Sequence, residues 1–179
     1  MSPKLIGYFP KRTIKRPDWL ACFNVEEICS VSDCISKAPV GWIDQWRHNE
    51  CWAFDTQELA WSVVAADARS EFELYAYKMF PVRFDRGQKV AIDFPTLDVE
   101  PLASSFERLS YDAVSRSCDS TFECSPLSCN GMAKEFAVNR YCLIDTETEG
   151  FRIAREFSVS VPEPGPYYLL EVWREKTGA

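Results

Sequence analysis

Residues Asn49–Thr56 read NECWAFDT, and residues Asn139–Thr146 read NRYCLIDT. In both stretches an Asn is followed by five residues, four of them apolar, and then by Asp-Thr. An Asp ahead of an amphipathic segment caps a helix, because its carboxylate accepts hydrogen bonds from the free N–H groups of the first turn. We therefore predict that each stretch is a short buried strand leading into a helix, with Asp55 and Asp145 as the caps.

A second short pattern also occurs twice. Cys29–Cys34 reads CSVSDC and Cys124–Cys129 reads CSPLSC, so both have the form Cys-Ser-x-x-x-Cys. The two patterns begin 20 residues before Asn49 and 15 residues before Asn139, and one gap of five residues aligns them. The same motifs in the same order indicate a repeated structural unit. The sequence therefore predicts an internal duplication.

The predicted repeat defines the expected architecture. The halves comprise residues 1–98 and 102–179, each of the form β-α-β-α-β, and the Pro-containing stretch Phe94–Pro101 joins them. A chain of 179 residues suits one compact domain spanning residues 1–179. We expect an α+β fold with a mixed or antiparallel sheet, short capped helices and a pseudo-two-fold axis between the halves.

Apolar periodicity and turn residues locate the individual elements. The predicted strands are Leu5–Phe9, Ile28–Ser32, Cys51–Phe54, Glu71–Phe84, Lys89–Phe94, Tyr111–Ser115, Arg140–Ile144 and Tyr167–Arg174. The predicted helices lie around Trp42–Trp46, after Asp55, at Met132–Phe136 and after the capping box Thr146-x-x-Glu149, and Val161–Pro166 is predicted to be a stiff turn.

The repeated cysteines are candidate metal ligands: Cys29, Cys34, Cys124 and Cys129. Their C-x4-C spacing is wider than the C-x2-C pairs typical of zinc sites. Four thiolates from two loops would hold a tetrahedral zinc ion or an iron–sulfur cluster. The alternative is that they are small buried apolar side chains, because free Cys is among the most buried residue types.

Thiol chemistry is a further possibility for the second pair. A reactive cysteine needs a lowered pKa, and a helix that begins after Cys129 would favour its thiolate. Cys124 and Cys129 are therefore the candidate nucleophiles, and His48 is the candidate base because it is the only His in the chain. A His at the end of a predicted helix more often contacts the last carbonyl groups of that helix.

Aromatic side chains are abundant, with six Trp, seven Tyr and twelve Phe. Trp42 and Trp46 are spaced as on one helix face, and Trp52 follows closely. With the repeated residues Asn49 and Asn139, these three Trp are the candidates for binding a partner or ligand. The alternative is that they anchor a helix to the sheet.

The net charge of −7, from 27 acidic and 20 basic residues, argues against general nucleic-acid binding. The basic residues near the start are interpreted as a solvated arm: Lys4, Lys11, Arg12, Lys15 and Arg16. No P-loop, G-x-G-x-x-G or G-x-S-x-G motif occurs, and a single His excludes His-rich metal centres. No signal peptide or membrane span is apparent, so we expect a cytoplasmic protein without a membrane partner.

For function, we expect a small acidic intracellular protein that binds another macromolecule, as an immunity protein, inhibitor or accessory subunit does. Its partner would be a protein, and a basic one is favoured, because acidic and aromatic surfaces suit a basic surface. This function requires no cofactor. The alternative is a cysteine-centred protein, either with a four-cysteine metal site or with a thiol-dependent activity. The sequence leaves the oligomeric state open.

Overall fold

The computed structural model of the chain describes residues 2–116, 121–161 and 165–176. The fold is α+β, as predicted, and rests on a five-stranded sheet with the order β1-β4-β7-β6, in which β5 pairs with the end of β4. All of these pairings are antiparallel. The strands are β1 (Lys4–Lys11), β2 (Ile14–Lys15), β3 (Glu27–Ile28), β4 (Glu73–Asp85), β5 (Gln88–Ala91), β6 (Phe106–Ser115) and β7 (Tyr167–Glu175).

Short helices connect the strands. The α-helices are α1 (Gln57–Ser62), α2 (Pro126–Cys129) and α3 (Glu147–Ser160), and single 3-10 segments lie at Ile43–Gln45, Ala66–Glu71 and Met132–Lys134. Among the described residues, none of the helices combines the length and the apolar composition needed to cross a lipid bilayer.

The two predicted halves meet at the centre of the sheet. The first half contributes the outer strand β1 and the inner strand β4, and the second contributes the outer strand β6 and the inner strand β7. The inner strands pair with each other over the register from Tyr75↔Arg174 to Phe84↔Tyr167. Each half thus supplies one outer and one inner strand, and the internal duplication stays a prediction.

Both faces of the sheet are covered. Successive side chains of a strand point to opposite faces, and on β7 Leu169 packs with the core under α3, whereas Leu170 packs with the core that contains Phe54. Helix α3 approaches the sheet closely at Gly150, where an added Cβ would lie 2.7 Å from Leu169 Cδ1. Strands buried on both faces explain why the apolar runs of β1 and β7 show little alternation.

Two predicted strands are absent. Cys51–Phe54 and Arg140–Ile144 form tight loops, and each touches the sheet through one isolated bridge, Tyr8↔Phe54 and Tyr111↔Ile144 respectively. The physical reason is the backbone. Trp52 has a φ of 59° and Cys142 a φ of 60°, and a left-handed residue interrupts an extended chain.

Other predicted elements are shorter than expected. The strand predicted at Ile28–Ser32 ends at Ile28, where β3 pairs with β2. The helices predicted around Trp42–Trp46 and at Met132–Phe136 are single 3-10 turns. The predicted turn Val161–Pro166 lies partly outside the described residues.

Helices α1 and α3 begin where expected, but the capping residue is the Thr of each Asp-Thr pair. The hydroxyl of Thr56 accepts from the N–H of Leu59, and that of Thr146 accepts from the N–H of Glu149. Asp55 instead accepts a hydrogen bond from Asn49 Nδ2 at 2.7 Å. The expectation that Asp55 and Asp145 are the caps is therefore wrong by one residue, whereas the predicted Thr146-x-x-Glu149 motif places the cap of α3 correctly at Thr146.

Candidate metal centre

Three cysteine thiols converge at one end of the sheet. The Sγ atoms of Cys34, Cys124 and Cys129 all lie within 4.8 Å of one another. Cys124 is buried, Cys129 is partly buried and Cys34 is exposed, so the group opens toward solvent on the Cys34 side. The first Cys-Ser-x-x-x-Cys motif contributes one of these thiols and the second contributes two.

The second motif is held by β6. The N–H of Ser115, the last residue of β6, donates to Cys124 O at 2.8 Å, and the N–H of Cys124 donates to Ser115 Oγ at 3.2 Å. Helix α2 then turns the chain back, with hydrogen bonds from Cys129 N to Ser125 O and from Asn130 N to Pro126 O. Pro126 fits the first turn of this helix, because a missing N–H is harmless there.

The first motif docks directly on the second. Ser32 Oγ and Cys34 Sγ both donate to the carbonyl oxygen of Glu123, at 3.1 and 3.0 Å. Ser32 Oγ also lies 3.4 Å from Cys129 Sγ. The loop of the first half therefore forms part of the wall around the thiols of the second half.

Asp112, a fully buried residue of β6, joins the two motifs. Its Oδ2 accepts from Ser30 Oγ at 2.8 Å and from the N–H of Val31 at 2.9 Å, and its Oδ1 accepts from Ser125 Oγ at 2.7 Å. Ser30 and Ser125 are the corresponding Ser residues of the two Cys-Ser-x-x-x-Cys motifs. Burial raises the pKa of Asp112, whereas the hydrogen bonds from Ser125, Val31 and Ser30 oppose that rise.

Lys11 lies beneath the first motif and is only 1% exposed. Its ammonium group donates to the carbonyl oxygens of Ser30, Val31 and Ser32 at 3.0, 2.8 and 2.6 Å. Asp33 Oδ1 lies 3.0 Å from the same nitrogen. Burial lowers the pKa of Lys11, and the Asp33 carboxylate counteracts this effect. The interpretation of Lys11 as part of a solvated arm is therefore wrong.

The thiols differ in proton affinity. Hydrogen bonding, first from Cys124 and then from Ser32 and Cys34, outweighs burial and lowers the pKa of Cys129 to about 6. Burial raises the pKa of Cys34. Cys129 is therefore a thiolate near neutral pH, and a thiolate is the form that binds metals or attacks an electrophile.

Cys29, the fourth predicted ligand, lies elsewhere. It is buried, its Sγ accepts a hydrogen bond from Tyr75 Oη at 3.5 Å, and Arg174 Nη1 lies 4.0 Å away. Burial raises the pKa of Cys29 to about 12. The structure thus brings together three of the four predicted ligands. Cys118, which the sequence reasoning did not single out, lies outside the described residues.

His48 belongs to an aromatic group. Its ring stacks on Trp52, with centroids 4.3 Å apart and an interplanar angle of 15°, and it meets Trp42 and Trp46 at 5.6 and 5.8 Å. Its Nδ1 lies 3.2 Å from Asn49 O. Within the described part of the chain, none of its hydrogen bonds or ring contacts involves Cys124 or Cys129.

The candidate partner-binding residues divide into internal and exposed positions. Trp42 is buried and meets Phe9 edge-on, with ring centroids 4.7 Å apart, whereas Trp52 is only partly buried. Trp46 is 77% exposed. Of the three Trp, Trp46 therefore offers the most surface for contact with another molecule.

Asn49 and Asn139 hold their loops together. Asn49 Nδ2 donates to Ile6 O, and Asn139 Nδ2 donates to Leu109 O, at 2.9 and 3.2 Å. In both loops the Asn Oδ1 accepts from the N–H groups two and four residues later. The same side-chain geometry at both sites explains why Asn occurs twice.

The most buried parts of the site were missed by the sequence reasoning. Lys11 follows the uncharged run of β1, Asp112 lies between Tyr111 and Ala113 in β6, and nothing in their spacing predicts a shared neighbour. The signal that was available is a charged residue inside or at the end of an apolar run, because such a residue is buried only when it is paired.

Comparisons with protein-family models, with curated proteins and with solved structures found no match to this chain.

Proposed function

We propose that the protein binds a thiophilic metal ion, with zinc as the first expectation, through the thiolates of Cys34, Cys124 and Cys129. The observation that carries this proposal is the convergence of three Sγ atoms, contributed by two loops, to within 4.8 Å of one another. Thiolate groups select zinc, copper(I) and iron–sulfur clusters over magnesium or calcium.

The spacing of the sulfur atoms supports this function. A zinc–sulfur bond of about 2.3 Å places two sulfur ligands of a tetrahedral ion about 3.8 Å apart. Sulfur atoms within 4.8 Å of one another reach that separation through shifts of about 1 Å. Iron–sulfur clusters are generally held by four cysteines, whereas a zinc ion can be held by three protein ligands with a water molecule in the fourth position.

The protonation of the site also supports metal binding. Ligand thiols must lose their protons, so metal affinity falls as the pH falls. The pKa of Cys129, lowered to about 6, means that this ligand is already deprotonated at neutral pH. A divalent ion would then offset part of the negative charge that the three thiolates bring into a partly buried site.

The test is metal content combined with a titration. Protein purified without chelator is analysed for metals, and the metal-free protein is titrated with Cd²⁺ while thiolate-to-metal absorption is followed. We expect one ion per chain in the wild type and weakened binding in Cys34→Ser and Cys129→Ser. Cys29→Ser is the matched control and should bind normally, and Cys118→Ser is measured alongside. Absence of both bound metal and the absorption band would refute the proposal.

Thiol-dependent activity is separated from metal binding by an alkylation time course. If the site acts through a nucleophile, Cys129 in the metal-free protein reacts far faster than the other thiols. If the site holds a metal, Cys34, Cys124 and Cys129 are protected together when Zn²⁺ is added, whereas the reactivity of Cys29 does not change.

A second candidate function, binding of a basic protein, is favoured by one patch of surface. Val40, Ile43 and Trp46 are 98, 40 and 77% exposed, and large exposed apolar side chains near one another are typical of interaction surfaces. The net charge of −7 suits a basic partner, as for an immunity protein, inhibitor or accessory subunit. Affinity for a captured partner should fall with added salt and in Trp46→Ser, and affinity unchanged by both would exclude this function.

A further inference from the structure

A lysine at the end of an apolar strand is buried under the first cysteine loop. Lys11 closes β1, and its side chain is 1% exposed although the residue next to it in sequence, Arg12, remains at the surface. A buried ammonium group without compensation costs several kcal/mol. Four oxygen atoms within 3.0 Å compensate Lys11, three of them consecutive backbone carbonyls.

The consecutive carbonyls reveal what this lysine does to the loop. In a strand, successive carbonyl groups point in opposite directions, whereas those of Ser30, Val31 and Ser32 all point to Lys11 Nζ. The loop therefore curls around the ammonium group. Asp33, the next residue, pairs with the same nitrogen, and Cys34 follows directly. The conformation that delivers Cys34 to the other thiols is thus built on Lys11.

Asp112 sets the distance between the loops. Its carboxylate accepts hydrogen bonds from Ser30 Oγ and the N–H of Val31 in the first loop. It also accepts one from Ser125 Oγ in the second loop. Because Ser125 directly follows Cys124, the same two oxygen atoms fix the relative position of Cys34 and Cys124. Asp112 lies on β6, a long strand of the sheet, and is fully buried, so both loops are attached to a fixed position in the sheet.

We propose that Lys11 and Asp112 are positioning residues of the metal centre, which set its metal affinity without touching the ion. Lys11 shapes the Cys29–Cys34 loop, and Asp112 joins that loop to the Cys124–Cys129 loop. The proposal rests on the metal-binding function proposed above. Partners of ligand-bearing groups commonly change metal affinity by about 10- to 100-fold when they are removed.

Lys11 and Asp112 carry opposite charges, and each favours the charged form of the other. The Lys11 ammonium group lies near enough to Cys129 for a thiolate there to favour the charged lysine. The ion-pair partner of Lys11 is Asp33, and the Asp112 carboxylate adds a further attraction.

The experiment compares two lysines of one strand. Lys11→Met removes the ammonium group but keeps the apolar part of the side chain. Lys4→Met is the matched control, because Lys4 is an exposed residue of the same strand and its ammonium group lies over the Phe94 ring. Zn²⁺ affinity is measured by competition with a chromophoric chelator. We expect Lys11→Met to bind Zn²⁺ about 10- to 100-fold more weakly than wild type and Lys4→Met to bind equally.

A second measurement separates positioning from a general loss of stability. Thiolate-to-Co²⁺ absorption reports how many sulfur atoms hold the ion. In the folded fraction of Lys11→Met we expect the signal to fall from three thiolates to two, because Cys34 is released, and Cys34 of the metal-free protein should be alkylated faster. If Lys11 only stabilised the fold, the number of thiolates bound to Co²⁺ and the alkylation rate of Cys34 would both be unchanged in the folded fraction.

A milder variant keeps the test decisive if Lys11→Met does not fold. Ser125→Ala removes the hydrogen bond that runs from the second loop to Asp112. We expect a several-fold weaker Zn²⁺ affinity in this variant. Normal affinity and three bound thiolates in every folded variant would overturn the positioning role and leave the metal site intact. A wild type that binds no Zn²⁺ or Co²⁺ would instead refute the metal-binding function itself.

Discussion

Replacing Asn139 with alanine should reveal how much one side chain stabilises its loop. Asn139 Nδ2 donates to Leu109 O at 3.2 Å, and its Oδ1 accepts from the N–H groups of Tyr141 and Leu143 at 2.9 and 3.2 Å. A hydrogen bond inside a protein contributes about 1 kcal/mol net. The loss of three such bonds predicts that Asn139→Ala lowers the free energy of unfolding by about 3 kcal/mol.

A graded variant checks the assignment of the bonds. Asn139→Asp keeps the oxygen that accepts from Tyr141 and Leu143 but loses the donor to Leu109, so we expect a loss of about 1–2 kcal/mol. Asn49→Ala in the other half should cost at least as much as Asn139→Ala, because Asn49 also donates to Asp55. Urea unfolding followed by the fluorescence of the six Trp measures all three values. An Asn139→Ala variant within about 1 kcal/mol of wild type would refute the reasoning.

Three further predictions follow from packing and protonation. Gly150→Ala should lower the free energy of unfolding by about 1–3 kcal/mol, because the new Cβ would lie 2.7 Å from Leu169 Cδ1; a more stable variant in urea unfolding would show that the helix can move. Tyr77→Phe should change stability by less than about 1 kcal/mol, because the buried Tyr77 hydroxyl has no hydrogen-bond partner among the described residues; a larger loss in the same assay would contradict this. Alkylation of metal-free Cys129 should increase with pH around a midpoint of about 6, since its lowered pKa keeps the thiolate populated down to that pH; a midpoint near the ordinary value of about 8.5 would be the contrary result. Peptide mass spectrometry after alkylation between pH about 5 and about 9 measures this midpoint.

The parts of the fold with strong local signals were predictable. The aromatic and β-branched run of β4, the capped amphipathic helix α3 and the apolar strand β7 were all expected within one or two residues. The loops after Asn49 and Asn139 were not, because an apolar segment of four residues resembles a buried strand. Only the left-handed residues within those loops distinguish them, and neither Trp52 nor Cys142 is a residue type that signals a positive φ.

The candidate site was predictable only in outline. The repeated spacing drew attention to Cys34, Cys124 and Cys129, and it included Cys29 because all four looked equivalent. Lys11 lies on β1 and Asp112 on β6, and their contacts with Ser30 of the first loop span 19 and 82 residues of sequence. A one-dimensional pattern gives cysteine spacing but not the pairing of buried charges, which depends on the order of the strands in the sheet. Asn49 and Asn139 were likewise noticed for their repetition, although their hydrogen bonds stabilise their own loops and attach them to β1 and β6.

The central position of β7 has a consequence for how the protein is made. During translation β1, β4 and β6 leave the ribosome first, but β4 and β6 each lack a neighbour until β7 arrives to lie between them. Until then the nascent chain exposes two unpaired strand edges and the apolar side chains that β7 will cover, which is a state prone to aggregation. The nascent chain is therefore most prone to aggregation until β7 has been synthesised, and a chaperone that shields strand edges would act before that point.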